Sequence, residues 1–147
     1  MLVVVRDGST PPTSPRPSGA RASAVWGSYV RANGPACAPL SLRSVKLLGC
    51  CVWVSHSASA ALELCALNES PRQGVLVSGA HAIATLLDCS IQHAVGHGVL
   101  VENDATATLR GCSIEDCGLD GVFVGGSASV DCELCTIVDN ERCGVGR

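Results

Sequence analysis

Aromatic residues are nearly missing from this chain: Trp26, Tyr29, Trp53 and Phe123 are the only four in 147 residues. That scarcity disfavours a globule built round large aromatic anchors. No run approaches the roughly 18 consecutive apolar residues of a membrane-crossing helix. Met1-Leu2-Val3-Val4-Val5 is too short for a signal-peptide core and is cut off by Arg6-Asp7. These absences predict a soluble, cytoplasmic protein with no membrane partner. A dense basic run is lacking too. Residues 1–46 carry six Arg/Lys against one Asp, for +5, whereas residues 47–147 carry four against twelve acids, for −8. A body of that sign neutralises phosphate poorly, so nucleic acid is not an expected partner.

What is present is small. Gly, Ala and Ser make up 49 of the 147 residues, and the 18 Val favour strands over helices. Residues 6–23, RDGSTPPTSPRPSGARAS, hold four of the seven prolines. Such a stretch cannot bury enough apolar surface to fold alone and reads as a flexible leader. The Pro-x-x-Pro spacing at Pro12 and Pro15 suits a polyproline reader. Residues 24–40 contain Trp26 and Tyr29 but show no period. The expected division is a basic Pro/Ser/Ala-rich leader over 1–40 and a folded domain over 41–147. The chain stops at Gly144-Val145-Gly146-Arg147, inside a repeat, which reads as truncation at the C-terminus.

The body repeats. Cys65, Cys89, Cys112 and Cys135 are spaced by 24, 23 and 23 residues. Four further columns keep the same spacing: Gly74/Gly98/Gly121/Gly144, Leu67/Ile91/Ile114/Ile137, Val75/Val99/Val122/Val145 and Ala58/Ala82/Ala105/Ala128. An earlier partial copy has Val52 and Val54, with Cys51 in the glycine slot. Within each unit the apolar residues alternate, as in Ala105/Ala107/Leu109, Cys112/Ile114 and Val122/Val124, and period two means strand. Three short strands per unit leave no room for a helix. The solution is an all-β, right-handed, single-stranded parallel β-helix of about four to five ~23-residue coils, stacked at about 4.8 Å. The recurring glycine marks a corner whose backbone conformation glycine tolerates best.

The unit Cys-Ser-Ile-x(6)-Gly-Val-x-Val resembles the repeats of the pectate-lyase-like superfamily. It is especially similar to the short-coil repeats of β-helix F-box and Shc-binding proteins. The resemblance covers residues 52–147. It implies architecture more than chemistry, because enzymes and non-enzymes share this scaffold.

The ten cysteines lack the paired spacing of a zinc site, and with no secretion signal reduced thiols are expected. Cys65, Cys89, Cys112 and Cys135 read as a buried thiol column, where cysteine acts as a small hydrophobe. Neighbours about 4.8 Å apart lie within bridging range by Cα separation, so oxidation stays open. Cys132 falls in an inward column, as does Cys135. Cys117 and Cys143 fall in turn slots and are expected to be exposed. No cofactor and no metal are expected.

Three groups of residues are candidates for function. Gly96-His97-Gly98 resembles a short motif of the polygalacturonases, which implies a catalytic His97. The family's Asp-Asp, Asn-Thr-Asp and Arg-Ile-Lys marks are absent, and His97 sits in a turn slot filled elsewhere by Gln73, Asp120 and Cys143. Glu69, His93, Asp116 and Asp139 form a second column. Asp116 and Asp139, one coil apart, approach the ~5–5.5 Å of a retaining glycosidase pair, or would hold the calcium of a lyase. A solvated acidic turn, which suits an acidic body, is the favoured reading of this column. The third group is the middle residue of each Val-x-Val strand: Trp53, Leu76, Leu100 and Phe123. These face outward and stack into an apolar stripe, a mark of a contact site.

The resulting expectation is a non-catalytic scaffold that binds a protein partner through the stripe. Its own leader is an alternative occupant, through Trp26 and Tyr29. The alternative function is a carbohydrate-active domain (a pectin- or uronate-type lyase or a glycoside hydrolase) or a polysaccharide-binding one. Four to five coils span only about 20–25 Å, and the turns are short, which favours the scaffold.

Overall fold

The computed structural model of the chain describes residues 2–5, 24–26, 29–36 and 38–147, the first two stretches and Tyr29 as backbone. The described residues form strands and turns throughout. In chain order the strands are β1 (Leu2–Val5), β2 (Ala24–Trp26), β3 (Tyr29–Asn33), β4 (Leu40–Arg43), β5 (Lys46–Leu48), β6 (Cys51–Ser55), β7 (Ser59–Glu63), β8 (Ala66–Asn68) and β9 (Val75–Ser78). They continue with β10 (Ile83–Leu87), β11 (Ser90–Gln92), β12 (Val99–Glu102), β13 (Thr106–Arg110), β14 (Ser113–Glu115), β15 (Val122–Val124), β16 (Ser129–Glu133), β17 (Thr136–Val138) and β18 (Val145–Gly146). Three sheets run the length of the molecule, in the orders β1-β3-β6-β9-β12-β15-β18, β4-β7-β10-β13-β16 and β2-β5-β8-β11-β14-β17. Every pairing is parallel except that of β1 with β3. Each strand thus pairs with its equivalent one coil away, which is a parallel β-helix of about five coils.

The pairing keeps like residues in line. Val52, Val75, Val99 and Val122 are successive partners, as are Leu67, Ile91, Ile114 and Ile137. Those side chains point inward and, apart from the half-buried Ile137, are buried. The stack also begins earlier than the expected boundary at 41. β3 pairs in register with β6, and β2 with β5, so part of the segment 24–40 belongs to the solenoid. Residues 6–23, with Pro12 and Pro15, lie outside the described residues.

Two of the three turns in a coil come from a single left-handed residue. Ser44, Leu64, Asp88, Gly111 and Leu134 turn the second sheet into the third with φ of 50–64°. Gly49, Glu69, His93, Asp116 and Asp139 turn the chain away from the third sheet with φ of 52–63°. One such residue between extended neighbours redirects the strand. It costs an L-residue roughly 1–2 kcal/mol, less for Asn and Asp. The repeating Gly74/Gly98/Gly121 corner is different from what the sequence suggests. Its need is for room rather than for a positive φ. A Cβ on Gly74, Gly98 or Gly121 would stand 2.7, 2.6 or 2.8 Å from the carbonyl oxygen of the glycine one coil on. Those carbonyls accept the amides of Val75, Val99 and Val122 at 2.8–2.9 Å, so they cannot move away cheaply.

Candidate functional site

The stripe exists in register. Trp53 pairs with Leu76, Leu76 with Leu100 and Leu100 with Phe123, each between inward-facing valines. Its side chains are half-buried rather than open. Stacking at about 4.8 Å hides the flank of each residue behind the next. Arg31 extends the column by one coil, with its guanidinium carbon 4.2 Å from the Trp53 ring centroid, a cation–π contact. Residues 24–26 and 29–33 therefore lengthen the sheets instead of lying across the stripe, and Arg31, not Trp26 or Tyr29, is the residue aligned with Trp53. A polar row borders the stripe: the Ser78 hydroxyl donates to Glu102 at 3.2 Å, and Asn103 Nδ2 donates to Ser78 at 3.1 Å.

The other border is His97. Its ring lies 4.9 Å from that of Phe123, and its Nδ1 is 3.3 Å from both the Asp120 amide and an Asp120 carboxylate oxygen. A neutral Nδ1 accepts the amide; a protonated one would pair with the carboxylate. Burial is the largest influence and holds the imidazole below its ordinary value, Arg142 adds to it, and Asp120 opposes it. His97 is therefore the neutral acceptor. Asp120 itself is 3% exposed, and it accepts the Cys143 amide at 3.0 Å. This is a turn slot tied to the next coil, as Gln73, Asp120 and Cys143 suggest.

Glu69, His93, Asp116 and Asp139 occupy the left-handed corner with φ of 52–56°, and all four are exposed. Their shared feature is backbone conformation, since Gly49 fills the same slot in the first coil with φ of 63°. They begin the connection to the next coil; His97 ends it, four residues after His93. Among the described residues no group of three or more His, Cys, Asp or Glu is placed to hold a metal ion.

The thiol column is real. Cys65, Cys89 and Cys112 are buried, and the Sγ atoms of Cys65, Cys89, Cys112 and Cys135 each donate at 3.4 Å to a backbone carbonyl of the preceding coil. Hydrogen bonds with Cys112 and Cys65, together with burial, push the Cys89 thiol up. Three cysteines depart from expectation. Cys117 is buried, because the left-handed Asp116 turns the following side chain inward, and burial raises its thiol. Cys132 is exposed and Cys135 half-buried, because β16 and β17 are the last strands of their sheets. Cys143 is exposed as expected. The thiol of Cys51, in the glycine slot, is pushed up to about 12 by burial.

Sequence reasoning missed the most open apolar side chains. Leu64, Ile83, Leu87, Val95 and Leu134 are the exposed ones on corners and outward strand positions, and Val138 and Val145 are open on the last coil. The period-two signal that marks Leu100 as outward also marks Ile83 and Leu87. A concavity on the last coil, lined by Val124, Ala128, Val130, Val145 and Arg147 among others, carries no His, Cys, Asp or Glu. No helix among the described residues is long and apolar enough to cross a membrane. A family model described as a right-handed β-helix region matches residues 40–146. No curated protein and no solved structure matches the chain.

Proposed function

The chain belongs to the right-handed β-helix family, and from that scaffold we propose a non-catalytic interaction module, a rod that binds a protein partner along the outward face of its first sheet. The observation that carries this reading is the unbroken column Trp53–Leu76–Leu100–Phe123, four coils in one register. A face whose backbone is already fixed loses little entropy on binding. Each side chain is partly covered, so its gain is a fraction of the roughly 1.5–3 kcal/mol of full burial. Four in line, with Trp53 and Phe123 as anchors, still make a compact centre. Ser78, Glu102, Asn103 and His97 supply the polar rim that such centres carry.

A carbohydrate-active reading draws on the His97–Asp120 contact, since a carboxylate can orient an imidazole for proton transfer. It ranks second because Nδ1 of His97 is engaged by the Asp120 backbone and Asp116 and Asp139 serve as left-handed corners. Panning a displayed peptide library against the chain, with Leu100→Glu/Phe123→Glu as counter-selection, separates the two. Support is a set of apolar peptides that lose about tenfold or more in affinity, roughly 1.4 kcal/mol, on a variant with unchanged far-UV circular dichroism. Failure to enrich such peptides, or cleavage of uronate oligosaccharides that disappears in His97→Ala, overturns it.

A further inference from the structure

Each coil turns from its second to its third strand in one short step, and in four coils that step starts from leucine: Leu42, Leu62, Leu86 and Leu109, aligned by strand pairing. The fifth coil has Cys132 there, stacked on Leu109. Three residues on, the column reads Val45, Cys65, Cys89, Cys112 and Cys135. The one exchange therefore makes a Cys-x-x-Cys pair at this corner, wrapped round Leu134, whose φ is 55°. Cys135 Sγ donates at 3.4 Å to the carbonyl of Leu109, the residue directly beneath Cys132. Both side chains thus lie at the same corner, against Leu109. In the lower coils the equivalent cysteine is sealed by the coil above it. Here Cys132 is exposed and Cys135 half-buried, so a reagent can reach both.

We propose that Cys132 and Cys135 are a redox-modification site that closes reversibly into an intrachain disulfide by exchange with a low-molecular-weight disulfide of the glutathione type. The Cys132 thiolate attacks one sulfur of the oxidant, forms a mixed disulfide and expels a thiolate, which takes up the proton Cys132 lost. The Cys135 thiolate then attacks the Cys132 sulfur and expels the second thiol. Two protein thiols are oxidised, one small disulfide is reduced to two thiols, and two electrons move. Burial pushes the Cys132 thiol up to about 11, so thiolate is scarce at neutral pH and the exchange is slow there. The cross-link closes over Cys112, the next thiol down the column, whose carbonyl accepts the Thr136 amide at 2.8 Å.

The test is incubation of the full chain with oxidised glutathione at pH 7.5 and pH 9, followed by non-reducing peptide mapping. Expected are the loss of two thiols, a Cys132–Cys135 link, reversal by dithiothreitol, and a rate at least about tenfold higher at pH 9. Cys132→Leu restores the leucine of the lower coils and so keeps the fold; it should abolish the paired loss. The proposal is overturned if Cys132 and Cys135 stay reduced, if Cys135 pairs with Cys112, if either links two molecules, or if Cys132→Leu still loses two thiols together.

Discussion

His97 and Asp120 occupy one slot in consecutive coils, and Nδ1 of His97 stands 3.3 Å from an Asp120 carboxylate oxygen. The same rule places most polar side-chain contacts in the molecule. Arg43 meets Glu63 and Arg110 meets Glu133, both at 3.3 Å. Gln92 donates to Glu115 at 3.3 Å, and Ser78 to Glu102 at 3.2 Å. In these pairs the partner is the residue one coil on, because parallel stacking sets equivalent side chains side by side. Chemistry in this fold is therefore chemistry between columns.

Acidification should loosen the His97 corner. Burial depresses the folded-state pKa of His97 below the ordinary 6.5, against the pull of Asp120 and with the help of Arg142. The unfolded chain then takes up the proton first, so stability rises with pH in this window. The contribution is fully present above about 6.5 and is lost as pH falls from there toward the folded value. Urea midpoints measured from pH 7.5 down to 5.5 should fall for the parent and fall less for His97→Gln, which copies Gln73 of the coil below. Equal slopes would mean that His97 is not desolvated.

Thiol accessibility should divide by column and not by turn. Maleimide labelling of the native chain should be fast at Cys143, intermediate at Cys135 and at Cys132, which is open but holds little thiolate at neutral pH, and slow at Cys65, Cys89, Cys112 and Cys117, which are no more than 2% exposed. Site-resolved mass spectrometry reads the rates. Fast labelling of Cys117 would show that Asp116 does not turn the chain inward.

Coils two to five are legible in the sequence because each inward column keeps its residue type at 23–24-residue spacing. The first coil is not. Val30 pairs with Val52, 22 residues on, but Leu40 pairs with Ala60, only 20 on. The connection from β3 to β4 is longer than its equivalent from β6 to β7, and that from β5 to β6 is shorter than that from β8 to β9. The columns slide while the backbone ladder persists. Cys117 was illegible for another reason: which way a corner residue points depends on the φ before it, and Asp116 adopts a value that period-two reasoning does not carry. The stripe's direction was legible from alternation, but its partial burial comes from stacking, which a single strand does not show.

Two glycine substitutions separate room from conformation. Gly98→Ala places a methyl 2.6 Å from the Gly121 carbonyl oxygen and should cost about 1–3 kcal/mol or more, the usual range for overpacking. Gly126→Asn should be nearly neutral. Gly126 has φ of 63° and no contact closer than 3.9 Å, and Asn103 already fills that corner one coil below with φ of 55°. Urea unfolding of both variants gives the comparison. A neutral Gly98→Ala would show that the coils can part there.

Adjacent residues on β12 should answer oppositely to one change. Val99 is fully buried, and its neighbour Leu100 lies on the outward stripe. Val99→Thr keeps the shape but buries a hydroxyl among Val75, Val122 and the inner columns, a cost of about 1–3 kcal/mol in protein interiors. Leu100→Thr removes apolar surface that is already part-solvated, and threonine suits a strand, so its cost should stay within about 1 kcal/mol. The same pair of changes at Val122 and Phe123 should repeat the order one coil away. Denaturant unfolding of the four variants measures it. Because side chains alternate with a period of two, a register displaced by one residue would reverse the order at both sites and turn the stripe into core.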